Sequence, residues 1–521
     1  MSDTPLPAHT PPPRPVRWWP GMLVLLLAVV AFGWIRVQAD WPFQKRNLES
    51  ARVIVISTGL LLAWWTLFSR TRWRLRLGVL AILVLLVAAV PALFRIRGVS
   101  GDLLPILEPR WANHELSATA PTNAPVSLPP TANERSSFPQ FYGPNRDGVL
   151  PGIKLETNWT AHPPALLWKQ KIGAAWSGFA VVGEIAITQE QRGEDECVVA
   201  YDLKTGRQLW LHADRTHYNT VIAGEGPRAT PTINSNRVFT SGATGRLNCL
   251  DLASGRVIWA RDVLAENKGK VPSWGIAGSP LILDDLVLAQ GGDNTGHTLF
   301  AYHLADGTPA WTAGTANPSY ASPILTTLGG VRQVVGFNNR VMAGYDAATG
   351  TQLWEKEWGI GYPGCSTPVV VGTNRIFFSA GYGVGAELLE LAPESAGKMS
   401  VRQVWKSNRM KAKFAHVCAQ GDVFYGLDDG ILACVDLKDG AQKWKEGRYG
   451  HGQGLLVGEN YLLMAESGEL VLLRPTPEAP NELVRFPVFS GKTWNPPALA
   501  GEYLLVRNDL EAACLRLKLQ P

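Results

Sequence analysis

The residues best suited to chemistry stand at matched steps along a chain that repeats itself. A proline or its substitute recurs at Phe179, Pro231, Pro280, Pro323, Pro368, Val417, Gly454 and Pro497. One residue earlier stand Gly178, Thr230, Ser279, Ser322, Thr367, His416, Gln453 and Pro496. Three earlier stand Trp176, Arg228, Ala277, Tyr320, Cys365, Phe414, His451 and Trp494, with Trp274 and Tyr362 slightly before that. Positions two apart share one face of a strand. The face is expected to look into a central channel near one rim. The candidate ligand-binding residues there are Trp176, Arg228, Trp274, Tyr320, Tyr362, His416, His451, Gln453 and Trp494. Aromatic rings with a few polar groups suit a planar ligand or an extended peptide. The same rings equally fill the taper of any channel mouth. No catalytic residue is assigned: Gly-x-Ser-x-Gly, Walker and His-Glu-x-x-His patterns are absent, and the nine His are scattered.

The elements that position these residues follow from a repeat. Asp202-x-x-x-Gly206-x-x-x-Trp210 recurs as Asp251…Gly255…Trp259, Asp346…Gly350…Trp354 and Asp436…Gly440…Trp444. A further copy has His303 in the Asp place, with Gly307 and Trp311. Degenerate copies end at Trp168, Trp405 and Phe486. Spacings of about 40–50 residues fit one four-stranded propeller blade. Apolar, β-branched runs precede each motif, and Asp and Gly form the turn. Eight aromatics predict eight blades in an all-β propeller. Ala165 to Ile172 is expected to pair with the final hairpins over Ala498 to Leu519 and remove a free edge. A seven-bladed ring or a stacked solenoid is the competing architecture. Cys249, Cys434 and Cys514 share a register held elsewhere by Ala200, Ala301 and Gly344, which reads as a site for a small buried residue. Disulfides and zinc are not expected.

Charge and hydropathy divide the 521 residues in two. Residues 1–110 carry 13 Lys/Arg and 5 Asp/Glu, a net of +8, and the remainder nets −3. The formal +5 is therefore no nucleic-acid footprint. Hydrophobic residues make up 46% of the chain, which excludes bulk disorder. Three apolar runs, 16–37, 51–68 and 75–94, each approach the ~20 residues a membrane-spanning helix needs. Seven Trp lie near their ends, as interfacial anchors do. Arg70, Arg72, Arg74 and Arg76 fill the turn between the second and third runs, which the positive-inside rule places in the cytoplasm. The C-terminal part is then outside. A cleaved signal peptide ending near Ala39 is the alternative for the first run and leaves that orientation unchanged. The organisation expected is a Pro-rich disordered arm over 1–15, three transmembrane helices over 16–94, a juxtamembrane segment and linker over 95–137, and a propeller over 138–521.

The Asp-x-x-x-Gly-x-x-x-Trp motif, often with Thr or Ser before the Gly (Thr205, Ser254, Thr349), resembles the repeat of pyrroloquinoline-quinone-like β-propellers. The opening Phe138-Pro-Gln-Phe-Tyr-Gly-Pro-Asn-Arg-Asp-Gly148 is similar to the start of quinone-like repeat proteins. The resemblance covers 138–521. It implies an eight-bladed ring and two classes of function. One is that of the family's quinoprotein dehydrogenases, which oxidise alcohols or sugars with the quinone bound over Ca²⁺. The other is that of the outer-membrane barrel assembly lipoprotein, a scaffold without cofactor. Calcium asks for six to eight oxygens, typically with carboxylates. The aligned channel positions contain no Asp or Glu. Glu225 and Asp293, in Gly-rich loops, are the nearest acids in sequence. The expected function is a binding or scaffold module for a protein, peptide or glycan. It is multi-pass in the cytoplasmic membrane, with its propeller on the periplasmic side. The quinone-dependent dehydrogenase, with the quinone and calcium, is the alternative.

Overall fold

A computed structural model describes residues 16–38, 41–114, 116, 137–358 and 363–520. The chain separates into two compact units, Met1–Ala112 and Asn113–Pro521. The arm over 1–15, nearly all of the linker and Tyr362 lie outside the described residues.

The first unit is built on three helices: α1 (Trp19–Val37), α2 (Phe43–Ala63, prolonged by a π turn over Trp64–Phe68) and α3 (Trp73–Leu93). All three are long and apolar enough to cross a membrane, with mean hydropathies of 2.1, 1.7 and 2.5. Their apolar side chains point outward, the reverse of a soluble helix. The second helix starts at Phe43, eight residues before the expected run, because Gln44 to Glu49 is rich in good helix formers behind Pro42. Arg36 Nη1 donates to Asn47 Oδ1 at 3.0 Å, and Asn47 Nδ2 donates to the carbonyl of Asp102 at 2.9 Å. These bonds gather the first loop and the chain after α3 at one end of the bundle. Trp64 Nε1 donates to the Arg17 carbonyl at 3.0 Å, which gathers the chain before α1 and the arginine turn at the other. The juxtamembrane segment that follows α3 folds as a β-hairpin. Its strands, Phe94–Val99 and Pro105–Pro109, pair antiparallel.

The second unit is an eight-bladed propeller. Blades 1 to 6 are four-stranded antiparallel sheets in sequence order, beginning with Ala180–Val182, Ile185–Arg192, Asp195–Asp202 and Gln208–Asp214, and blade 7 adds the parallel Val149–Leu150 to four such strands. Blades 2 to 7 begin at Thr232, Leu281, Ile324, Val369, Val417 and Gln453. The eighth is completed as expected. Ala165–Lys171 pairs with Glu511–Arg516, with Trp168 opposite Cys514.

The repeat proves to be a device between blades. Trp168, Trp210, Trp259 and Trp405 donate their indole N–H to the carbonyls of Leu203, Leu252, Leu304 and Leu437 at 2.8–3.0 Å. Each acceptor directly follows the Asp, or His303, of the next blade's motif. The glycine of that next motif lies against the same ring, at positive φ. A Cβ on Gly206, Gly255, Gly307 or Gly440 would fall 2.4–2.7 Å from ring carbons. The small-residue register is explained too. Ala200, Cys249, Ala301, Gly344, Cys434 and Cys514 each pair across the sheet with their own blade's tryptophan. A bulky side chain there would displace the indole.

Candidate functional site

The aligned positions do not lie on the strands as expected. The innermost strands begin at or after the proline step in every blade but the seventh, so the candidate residues, Gln453 apart, sit on the loops that lead into them. Two layers result, with different roles.

The layer one step before the proline is spent on holding blades together. Gly178 N donates to Thr230 Oγ1 at 3.0 Å, Thr230 N to Ser279 Oγ at 2.9 Å, and Ser279 N to Ser322 Oγ at 3.0 Å. Backbone donors at a curved sheet end have no ladder partner, and the hydroxyls of the next blade satisfy them. His416 and Gln453 belong to this layer and are buried against the chain's own opening segment. The Tyr142 hydroxyl donates to Gln453 Oε1 at 2.5 Å, and its ring stacks on His416 at 4.3 Å. His416 Nε2 lies 2.6 Å from the Asp147 carbonyl, which makes it the donor. Burial lowers the imidazole pKa to about 4. These two residues are therefore fixed as structural contacts rather than as an open surface.

That opening segment bridges the channel. Phe138 exchanges backbone bonds with Val181 in blade 1, and Ile233 in blade 2 donates to the Pro139 carbonyl. Arg146 donates to the carbonyls of Ser279 and Pro280 in blade 3. Val149–Leu150 runs parallel to Leu456–Val457 in blade 7. Val181, Ile233 and Leu456 all follow the proline step, so the segment closes one end of the channel. The Arg146 guanidinium is buried with carbonyls as partners, and burial lowers its pKa to about 9.

The layer three steps before the proline forms the opposite mouth, and here aromatic side chains do converge. Trp176 and Trp494 lie 5.0 Å apart, Trp494 and Phe414 4.7 Å, Phe414 and His451 5.2 Å. The Lys492 ammonium lies 4.4 Å from the Trp176 ring and 4.1 Å from that of Trp494. Across the mouth, Trp274 meets Tyr320 edge-on at 5.3 Å, and the Arg228 guanidinium lies over Tyr218 at 4.4 Å. Lys413 lies 5.0 Å from the Tyr382 ring. Arg228 also donates to the carbonyls of Ala223, Gly224 and Gly226, and burial lowers its pKa to about 10. Trp274, Tyr320, Phe414 and Trp494 remain partly exposed.

Several mouth residues were not legible as site residues. Glu466 accepts from Trp494 Nε1 at 3.0 Å and from His451 N at 2.9 Å. It reaches the rim from the turn after the second strand of blade 7, Asn460–Met464, where no aligned step points to it. Lys492, Tyr218 and Tyr382 likewise come from loops outside the alignment. Glu225 does not turn inward: it pairs with His217 at 3.0 Å. Asp293 forms a backbone bridge with Lys270.

Among the described residues, no three His, Cys, Asp or Glu side chains converge at a point that would hold a metal. The hydroxyls of blades 2 to 4 that face the channel are engaged with backbone N–H groups of neighbouring blades. The arrangement can instead embrace an apolar or aromatic group, with an ammonium and a carboxylate at its edge.

Comparison with known proteins agrees with the fold. The family described as outer membrane protein assembly factor BamB matches residues 158–265 and 194–446. No curated protein sequence matches the chain. Among solved structures, BamB from Moraxella catarrhalis is similar over 68% of this chain and 99% of its own, with 14% identity and a TM-score of 0.49. Quinohemoprotein alcohol dehydrogenase from Comamonas testosteroni is similar over 74% of this chain and 81% of its own, with 13% identity and a TM-score of 0.53.

Proposed function

The chain belongs to the family of the outer membrane protein assembly factor BamB, and from that premise we propose that it is a membrane-anchored binding module. In this reading α1, α2 and α3 cross the cytoplasmic membrane. The arginine turn stays inside, and the propeller stands on the extracytoplasmic side. The mouth of the channel takes a segment of a protein partner, with an aromatic or apolar side chain as its anchor.

One observation carries this reading. The mouth is an aromatic ring contributed by many blades, and the channel behind it is closed by residues 138–150. A blind cup with partly exposed tryptophans is the geometry of an anchor pocket. A through-pore would not be blocked by its own chain. Lys492 and Glu466 supply charge of both signs at the rim, which favours a peptide over a uniformly charged polymer.

The test is site-specific photocrosslinking with the full chain in its native membrane. A benzophenone side chain at Phe414 or Trp274 is expected to crosslink a discrete protein partner. The same group at Ser235, on a blade loop away from the mouth, is not. Equal crosslinking at both places would overturn the proposal. So would stoichiometric binding of the quinone with Ca²⁺, accompanied by dye-reducing activity on alcohols or sugars.

A further inference from the structure

The hairpin after α3 is amphipathic, and its apolar face has no protein partner among the described residues. Phe94 pairs with Pro109 and Ile96 with Leu107, so these four share one face. Arg95 pairs with Glu108 on the other face, at 2.9 Å between Nη2 and Oε2, and Arg97 Nε lies 3.8 Å from Glu108 Oε1. Ile96 and Leu107 are 53% and 52% exposed, and the adjoining Trp111 is 72% exposed. A two-stranded hairpin with a bare apolar face is marginal in water. This one also has no freedom to leave the helix end. Arg110 N donates to the Leu93 carbonyl at 2.9 Å, and Arg110 Nε to the Pro91 carbonyl at 2.6 Å. Asn47 holds Asp102, in the hairpin's turn, to the start of α2.

We infer that the hairpin Phe94–Pro109 lies in the bilayer interface, with Ile96 and Leu107 against the lipid. Its occupant is the same membrane that the helices cross, so the inference rests on that spanning reading. The anchoring is specific. The hairpin sits at the depth where α3 ends, and Trp111 prefers the headgroup level. The opposite face carries Arg95 and Arg97, paired to the buried Glu108, and its guanidinium groups suit the phosphate layer and water. The third helix thereby gains an extramembranous foot on one leaflet, and the linker leaves from that foot.

The experiment uses the full chain in lipid nanodiscs, with an environment-sensitive fluorophore on a single added cysteine. Cys365→Ser removes the one native thiol that is not buried. Labels on L107C and, independently, I96C are expected to be blue-shifted. Lipids with a nitroxide near the headgroup should quench them at least twofold more than iodide does. A label on L85C, within α3, should be quenched most by deep nitroxides, and one on S467C, on the propeller surface, by iodide. If both hairpin labels behave like S467C while L85C stays deep, the hairpin inference falls and the spanning reading stands. If L85C is also iodide-accessible, both fall.

Discussion

The indole N–H of Trp210 donates to the carbonyl of Leu252, 3.0 Å away in the next blade, and the ring lies flat against Gly255 of the same turn. One tryptophan thus reads both the turn's backbone and its lack of a side chain. Trp210→Ala is expected to cost ~3–5 kcal/mol, as for a fully buried large aromatic. Gly255→Ala should cost ~1–3 kcal/mol, through a φ of +69° and a Cβ 2.4 Å from the ring. Gly193→Ala, also at positive φ but with open space around it, should cost only about 1 kcal/mol. Urea midpoints of the three variants decide whether the contact or the backbone dominates.

Blade 4 breaks the pattern. Blade 5 lacks the Asp-x-x-x-Gly turn, and Trp354 Nε1 donates instead to Gln333 Oε1, in its own blade, at 2.6 Å. Gln333→Leu should cost ~1–3 kcal/mol by leaving a buried donor unmet. Adding Trp354→Phe removes the donor itself. The double variant is expected to lose less than the two single losses added together, and additive losses in urea unfolding would refute the coupling.

These two cases show what the sequence made readable. The Trp–Gly–Asp spacing is local in the chain, so the blade count, the closing strand and the small-residue register could all be read from it. The acceptors of Trp168, Trp210, Trp259 and Trp405 lie 32–45 residues ahead, so the motif looked like one blade's property when at these four it is a joint between two. The mouth was half legible. Trp176, Trp494, Trp274 and Tyr320 do gather, because they lead into strands that line one channel. His416 and Gln453 were misplaced because the segment that covers them, 138–150, lies some 270–310 residues away and shows no periodicity. Glu466 and Lys492 come from loops with no aligned counterpart.

Stability should fall in mild acid through His416. Its folded pKa is about 4, against ~6.5 for a free imidazole. The unfolded chain therefore binds the proton first as pH drops. The contribution is intact above pH ~6.5 and is lost as pH falls towards 4. Asp147 meets the ring only through its carbonyl, which accepts from His416 Nε2, and Tyr142 and Cys418 pack beside it. His416→Gln keeps a donor for that carbonyl and should flatten the decline in urea midpoint between pH 6.5 and 4.5. An unchanged slope would assign the acid sensitivity to other groups.

Glu196 has the opposite sense. Burial raises its pKa to about 7, so the folded state favours the neutral acid. Its contribution is full below the unfolded value near 4.3 and erodes as pH rises to about 7. Glu196→Gln keeps an acceptor for the Ala243 N–H, at 3.0 Å in the native protein, and should raise stability at pH 8 relative to pH 5. Paired melts at the two pH values measure the difference.

Trypsin can report on the channel closure. Arg146 is a cleavage site by type, but it is buried and bonded to three acceptors. Tyr142→Ala removes both the stacking on His416 and the bond to Gln453. Cleavage after Arg146 should rise at least tenfold while the far-ultraviolet circular dichroism of the propeller holds. Resistance equal to that of the native protein would mean that the segment is held without Tyr142.

The closing strand has a consequence for the order in which the molecule is made. Ala165–Lys171 leaves the ribosome about 340 residues before its partner Glu511–Arg516. At ~5–20 residues per second that is about 17–70 s without a mate. During this interval one strand edge is open, and the last blade cannot form. Lys169 and Lys171 place charge on that waiting strand, which discourages pairing with a stranger. A chain that lacks only Glu511–Arg516 would therefore leave Ala165–Lys171 unpaired and the ring with an open seam.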